Sequence, residues 1–258
     1  MLLDVYKQKY PILISLHKSG STWINTFIHK KYRRIGLTTP PRNLYTEFFC
    51  SGRNLNNDKA FVQRNDKERI ALLEHLRTFG LELNHKVHLP EVIDVWPWFK
   101  EFYKDYDILV CKRRNIFKHW ISVLFFANIW KKHIDGVGVD VPDHNVNPKS
   151  EDMLKSVIQE YNITFEHIEK PWNDFIRNIR FLNDVVIKEL HKPQVIWLED
   201  IDHAWLENRF NVTVKKGIQP FKTLDYKVYF KPEDMAIIKE KFEERFFNEF
   251  QFFGYEYK

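Results

Sequence analysis

A chain of 258 residues that is 44% hydrophobic and 29% charged can bury a sizeable core, which excludes wholesale disorder. Lys and Arg total 40 against 35 Asp and Glu; a surplus of only +5 argues against a nucleic-acid-coating protein and suits one anionic ligand in one basic pocket. Cys50 and Cys111 cannot build a disulfide framework, no leader pattern opens the chain, and the apolar run Trp120 to Trp130 is too short to span a bilayer. The expectation is therefore a cytoplasmic protein with no membrane span and no nucleic-acid partner.

In chain order, Tyr10 to Leu16 is a short apolar run of buried-strand type that meets a Ser/Gly turn at Ser19 to Ser21. Trp23, Phe27 and Ile28 then recur at helical spacing to about Tyr32. Thr38 to Asn57 reads as loop, interrupted by Tyr45 to Cys50. Asp66 to Phe79 has helical periodicity with Gly80 as its stop, and Lys86 to Leu89 is a strand ended by Pro90. Val92 to Tyr103 is expected as a helix kinked near Pro97, Asp107 to Lys112 as a central strand, and Ile116 to Trp130 as a helix. Residues 132–149 form an aperiodic loop long enough to act as a lid. Helices are expected at Ser150 to His167 and Trp172 to Leu190, a strand at Gln194 to Leu198, and a last helix from Pro232 to Phe247. Apolar strands alternating with helices predict an α/β protein, a central parallel sheet flanked by helices, in a single domain over residues 1–258.

The segment Leu16-His-Lys-Ser-Gly-Ser-Thr-Trp23 is the richest in chemistry. A buried strand runs into a Lys18-Ser19-Gly20-Ser21-Thr22 turn and out into a helix beginning near Trp23. Turn and helix N–H groups make an anion cradle, to which Lys18 adds a charge and Ser19, Ser21 and Thr22 add hydroxyls. It is not the ATPase phosphate loop, because the lysine precedes the single glycine and no Gly-Lys-Ser/Thr follows. Farther on, Arg114 ends a strand and Ser122 lies eight residues later, a pairing that can hold a phosphate between guanidinium and hydroxyl.

These two motifs together resemble those of the PAPS-dependent sulfotransferases, whose 5′-phosphosulfate loop reads Tyr-Pro-Lys-Ser-Gly-Thr-Thr-Trp in the cytosolic branch. The second fingerprint of that family is a strand ending in Arg-Asn with a serine eight residues after the arginine, as in Arg114-Asn115 and Ser122 here. The resemblance implies a P-loop nucleotide-hydrolase-like sulfotransferase fold. It implies PAPS as co-substrate, adenosine 3′,5′-bisphosphate as product, no metal, and a small-molecule or glycan acceptor. Residues Lys18, Ser19, Gly20, Ser21, Thr22 and Trp23 would then bind the phosphosulfate, and Arg114 and Ser122 the 3′-phosphate. Lys215-Lys216-Gly217 resembles a family Arg-Lys-Gly stretch that also reaches the 3′-phosphate.

Sulfuryl transfer asks the protein to align donor and acceptor, stabilise the departing phosphate and take the acceptor's proton. Lys18 fits the leaving-group role. Two residues compete for the proton. His88 lies in Lys86-Val-His-Leu-Pro90, which resembles the Lys-Thr-His-Leu-Pro of cytosolic sulfotransferases, where the histidine is the base. Lys86, two residues earlier on the same strand, would face the donor as well. Glu47, in Thr46-Glu-Phe-Phe49, resembles the glutamate of bacterial and glycan-directed relatives. His88 is the leading candidate. His85 and His88 fall on opposite faces of a strand, so no metal site is expected. The rival classes are a nucleotide kinase on a related fold and a non-catalytic nucleotide-binding module.

Overall fold

Residues 11–17, 19–34, 66–78, 86–124 and 165–214 are described by the structure, a computed structural model, with helical residues also at 232–234, 236–237, 240–241 and 251. Lys18, Glu47, Lys215, Lys216, Gly217, the segment Tyr45 to Cys50 and the loop 132–149 lie outside the described residues. So does most of the helix expected at Ser150 to His167. The chain divides into two compact units, Met1–Lys112 with Arg180–Pro220, and Arg113–Ile179 with Phe221–Lys258.

The first unit is built on a four-stranded parallel sheet: β1 (Ile12–Ser15), β2 (Lys86–His88), β3 (Ile108–Lys112) and β4 (Gln194–Trp197), in the order β2-β1-β3-β4. The α/β class and the parallel sheet agree with the sequence expectation. Every residue of β1 and β3 is buried, as suits central strands covered on both faces, whereas β4 exposes Gln194 at its start. Alternation sorts the side chains. Leu13, Leu109, Cys111 and Ile196 point to one face, where they pack with Trp23, Ile24, Phe27 and Ile28 of α1 (Ser21–Arg34). Leu206 and Phe210 of a second helix, His203–Phe210, complete that cluster. The alternate set Ile12, Ile14, Ile108 and Val110 is equally buried, so the opposite face is covered too.

The elements between these strands follow the expected order with local corrections. α2 (Asp66–Thr78) carries Asp66 and Glu68 in its first turn and His75 and Arg77 in its last, a charge order that complements the helix dipole. No helix kinks at Pro97. Residues 92–95 turn, and α3 (Trp96–Phe102) starts there, with Pro97 in a first turn whose N–H has no helical partner to lose.

In the second unit, α4 (Ile116–Leu124) begins where expected. The following described helix, α5 (Phe165–Arg180), runs straight through Pro171, where the sequence suggested a break between two helices. Buried Trp172, Phe175, Ile176 and Ile179 make an apolar stripe along it. Trp172 and Phe175 stand 5.7 and 5.0 Å from the Trp120 ring by centroid. That packing outweighs the ~3 kcal/mol that an interior proline costs a helix. The first unit then resumes through a π-helical turn, Phe181–Val186, and a last turn Ile187–Glu189.

One element was not anticipated. α6, the helix His203–Phe210 already met in the core, is capped by Asp202, whose carboxylate accepts from the Trp205 N–H at 2.7 Å. It ends on Asn211 in the left-handed conformation, φ 51°. At the C-terminal end of the chain, the helical residues 232–234, 236–237 and 240–241 fall inside the span expected as Pro232 to Phe247. Among the described residues no helix is long and apolar enough to cross a membrane.

Candidate functional site

Strand order alone locates the crevice. β1 is followed in the chain by its neighbour on one side, β2, and then by its neighbour on the other, β3. Connections leave such a switch point in opposite directions, and ligands of open α/β sheets bind there, outside the carboxyl ends of the strands. The residues at those ends are Ser15 and its turn, His88 on β2, and Lys112 on β3.

The turn after β1 is held by specific bonds. Ser19 donates its hydroxyl to the Leu16 carbonyl at 2.7 Å, and the buried thiol of Cys111 donates to the Ser19 carbonyl at 3.1 Å. Gly20 has φ +79°, a conformation that side-chain-bearing residues rarely adopt. Its carbonyl accepts from Trp23 and Ile24 N–H, so α1 starts directly on the turn. The first-turn N–H groups are those an α-helix cannot use itself. α1 has no acidic residue in that turn, unlike α2, so its own first turn adds no negative charge to the positive end of its dipole.

The sequence-predicted residues divide here. Ser19 spends its hydroxyl proton on the turn. Thr22 is exposed at the first turn of α1, and its hydroxyl accepts from the Lys86 ammonium at 3.2 Å. Lys86 is only 3% exposed, and it reaches Thr22 from β2, whose register puts it beside Leu13 of β1. Trp23 sits in the core cluster, with its ring 6.0 Å from Phe27 in edge contact.

His88, paired in register with Ser15, lies on the same face of β2 as Lys86. It is 4% exposed. Its Nδ1 stands 3.4 Å from the Ser15 hydroxyl, and its backbone N–H donates to the Glu91 carboxylate at 3.4 Å. The His17 ring lies over it, with 4.1 Å between centroids and 32° between planes. Lys86, Thr22, His88, Ser15 and His17 are thus gathered at the carboxyl ends of β1 and β2, beside a helix N-terminus. Such a constellation can bind an anion and accept a proton from a neighbouring hydroxyl. Among the described residues no cluster of three or more His, Cys, Asp or Glu could hold a metal ion.

Lys112 was not singled out from sequence. It closes β3 on the face opposite Cys111, donates to the Asn183 side-chain oxygen at 2.7 Å, and lies 4.3 Å from the Trp197 ring centroid. Burial lowers its pKa from 10.5 to about 8. Below about 8 both folded and unfolded chains hold the proton, and the folded state bears the full cost of the buried charge. Between about 8 and 10.5 only the unfolded chain holds it, so stability should rise with pH through that window. Urea midpoints for wild type and Lys112→Met at pH 7 and pH 10 check this. The variant should lose that rise, and an identical rise in both chains would assign it to other groups.

In the second unit, Ser122 donates to the Lys118 carbonyl at 2.9 Å and accepts from Arg113 at 3.2 Å. Asn115 caps the same helix by accepting from the Lys118 N–H at 2.7 Å.

Parallel sheet, switch-point order and a turn opening into a helix N-terminus define an α/β protein with helices around a four-stranded parallel sheet. No protein-family model matches the chain, and no curated protein matches it significantly.

Proposed function

We propose that the chain is a PAPS-dependent sulfotransferase of the P-loop-like fold, moving a sulfuryl group to a hydroxyl or amine of a small molecule or glycan. The observation that carries this reading is the Lys86 ammonium, 3% exposed, bonded to the Thr22 hydroxyl at the N-terminus of α1. It brings a buried cation to the turn whose Lys18-Ser19-Gly20-Ser21-Thr22 sequence resembles the phosphosulfate loop, with His88 on the same strand face. In the reaction the acceptor oxygen bonds to sulfur while the sulfur–oxygen bond to the 5′-phosphate breaks, and that electron pair leaves with adenosine 3′,5′-bisphosphate. Lys18, Lys86 and the helix N-terminus balance the growing charge on the phosphate. His88, whose Nδ1 stands 3.4 Å from the Ser15 hydroxyl, takes the acceptor's proton on its imidazole. Assigning the 3′-phosphate to Arg114, Ser122 and Lys215-Lys216-Gly217 rests on the resemblance alone.

The test is transfer from sulfur-35-labelled PAPS to a panel of phenols, alcohols, amines and glycans, with mass spectrometry of nucleotide retained on purification. Label transfer by wild type and a loss of roughly 10²–10³-fold in Lys86→Met are expected. Retained ATP with magnesium and no label transfer would instead indicate a kinase. Tight adenosine 3′,5′-bisphosphate without transfer to any acceptor would indicate a binding module.

The adjacent arginines give a separate prediction. Arg114→Ala should weaken adenosine 3′,5′-bisphosphate far more than AMP, by the roughly 1.5–3 kcal/mol of a charge-assisted bond. Arg113→Ala, acting through the Ser122 hydroxyl, should show the same selectivity with a smaller loss. Calorimetric titration with both nucleotides measures it, and equal weakening of the two ligands by Arg114→Ala would remove that residue from the 3′-phosphate.

A further inference from the structure

Nothing in the sulfotransferase resemblance assigns a task to His17, which stands where the family loop has proline. Its side chain is half-buried, while His88 beneath it is 4% exposed. The rings are 4.1 Å apart and tilted by 32°, close enough that a proton on one strongly disfavours a proton on the other. Around the pair, β1 contributes the neutral Ser15 hydroxyl, β2 contributes Lys86, and the turn after β2 contributes Glu91, whose carboxylate is engaged by the His88 backbone N–H. Lys86 thus shares the strand face of His88, and the His17 ring lies against the His88 ring.

We propose that His17 is a positioning residue for the base: the two imidazoles form a coupled pair in which the more exposed His17 takes the first proton and so keeps His88 unprotonated at lower pH. This rests on the reading of His88 as base. The direction follows from burial, because the charged form is disfavoured more at the buried ring than at the half-buried one. Protonated His17 then adds a positive charge beside His88, as Lys86 does, and a second proton is resisted. His88 stays able to accept the acceptor's proton through a pH range in which an isolated imidazole begins to lose that capacity.

Two readouts separate this proposal from the function it deepens. Nitrogen-15 NMR titration of the histidine rings in the full chain needs neither donor nor acceptor. In wild type, His17 and His88 should titrate in coupled steps, His17 first. In His17→Phe, which keeps ring packing, and in His17→Gln, which keeps polarity, His88 should titrate in a single step moved up by about one pH unit or more. With labelled PAPS and whichever panel acceptor wild type uses, the acid limb of kcat should move up by the same amount in both variants, with KM for the donor little changed. A packing role alone would leave the Phe variant with the wild-type acid limb. Independent single steps for both rings in wild type, or an unmoved His88 curve in His17→Phe, would overturn the pair. Coupled NMR steps in a chain whose His88→Asn variant keeps full turnover would retain the pair as a structural feature and remove its catalytic meaning, which also overturns the proposal as stated.

Discussion

For the sulfotransferase proposed above, His88→Asn is expected to lower the sulfuryl-transfer rate by roughly 10²–10⁴-fold, the usual span for removing a general base. Asparagine suits this position because its amide falls where Nδ1 faces the Ser15 hydroxyl at 3.4 Å, so the local contact survives while no basic atom remains. The backbone bond from His88 N–H to Glu91 is also kept, and with it the turn that ends β2. A loss of rate without a matching loss of stability is therefore the signature of the base. Glu47→Gln should stay within a few-fold of wild type under the same assay. The reverse pattern, an active His88→Asn enzyme beside a dead Glu47→Gln enzyme, would transfer the role to the glutamate. Two active variants would mean that acceptor activation lies elsewhere or that the acceptor arrives already ionised.

The parts of the fold that sequence revealed are those in which burial is uniform. β1 and β3 are unbroken apolar runs because both faces of a central parallel strand are covered, and Ser19 to Ser21 marks the turn through residues that cap and bend. Lys86 and His88 were legible as same-face neighbours because a strand repeats every two residues, and their register with Leu13 and Ser15 sets both beside β1. Where tertiary packing competes with local preference, the sequence misled. Two helices were expected on either side of residues 168–171, but the Trp172, Phe175 and Trp120 contacts hold one helix through Pro171. Trp23, grouped with the phosphosulfate residues by resemblance, packs its ring against Phe27 in the core, as their i, i+4 spacing allows.

Some signals were present and unused. Asp202 followed by His-Ala-Trp-Leu is an ordinary helix start, and it would have found α6. Lys112, a charged residue finishing an otherwise apolar strand, marked a buried amine in the same way. Other features have no local signature. That Arg113 bonds Ser122 depends on how the chain turns after β3, which the spacing of nine residues does not reveal. The His17 and His88 rings lie 71 residues apart in sequence, and only the parallel pairing of β1 with β2 brings them together.

Gly20→Ala should be the most damaging single change to the turn, for two separable reasons. At φ +79° an alanine costs about 1–2 kcal/mol in backbone strain. Its Cβ would also lie 2.4 Å from Leu198 Cδ1 and 2.9 Å from Cδ2, inside any tolerable contact. Leu198 is partly buried against the core cluster, so its side chain can yield only by disturbing that packing, at a further ~1–3 kcal/mol. Together these come to about 2–5 kcal/mol, a large share of the roughly 5–15 kcal/mol that stabilises a typical domain. Urea unfolding of Gly20→Ala, Leu198→Ala and the double variant separates the terms. Leu198→Ala alone loses buried methyl groups, but in the alanine-20 background it also removes the collision, so the double variant should be more stable than the sum of the single losses by at least about 1 kcal/mol. The strain at φ remains in both alanine-20 chains. Strict additivity would show that Leu198 moves aside without cost and that the glycine is required by its backbone conformation alone. A Gly20→Ala chain as stable as wild type would refute both terms, and with them the tight turn that starts α1 beside Lys86.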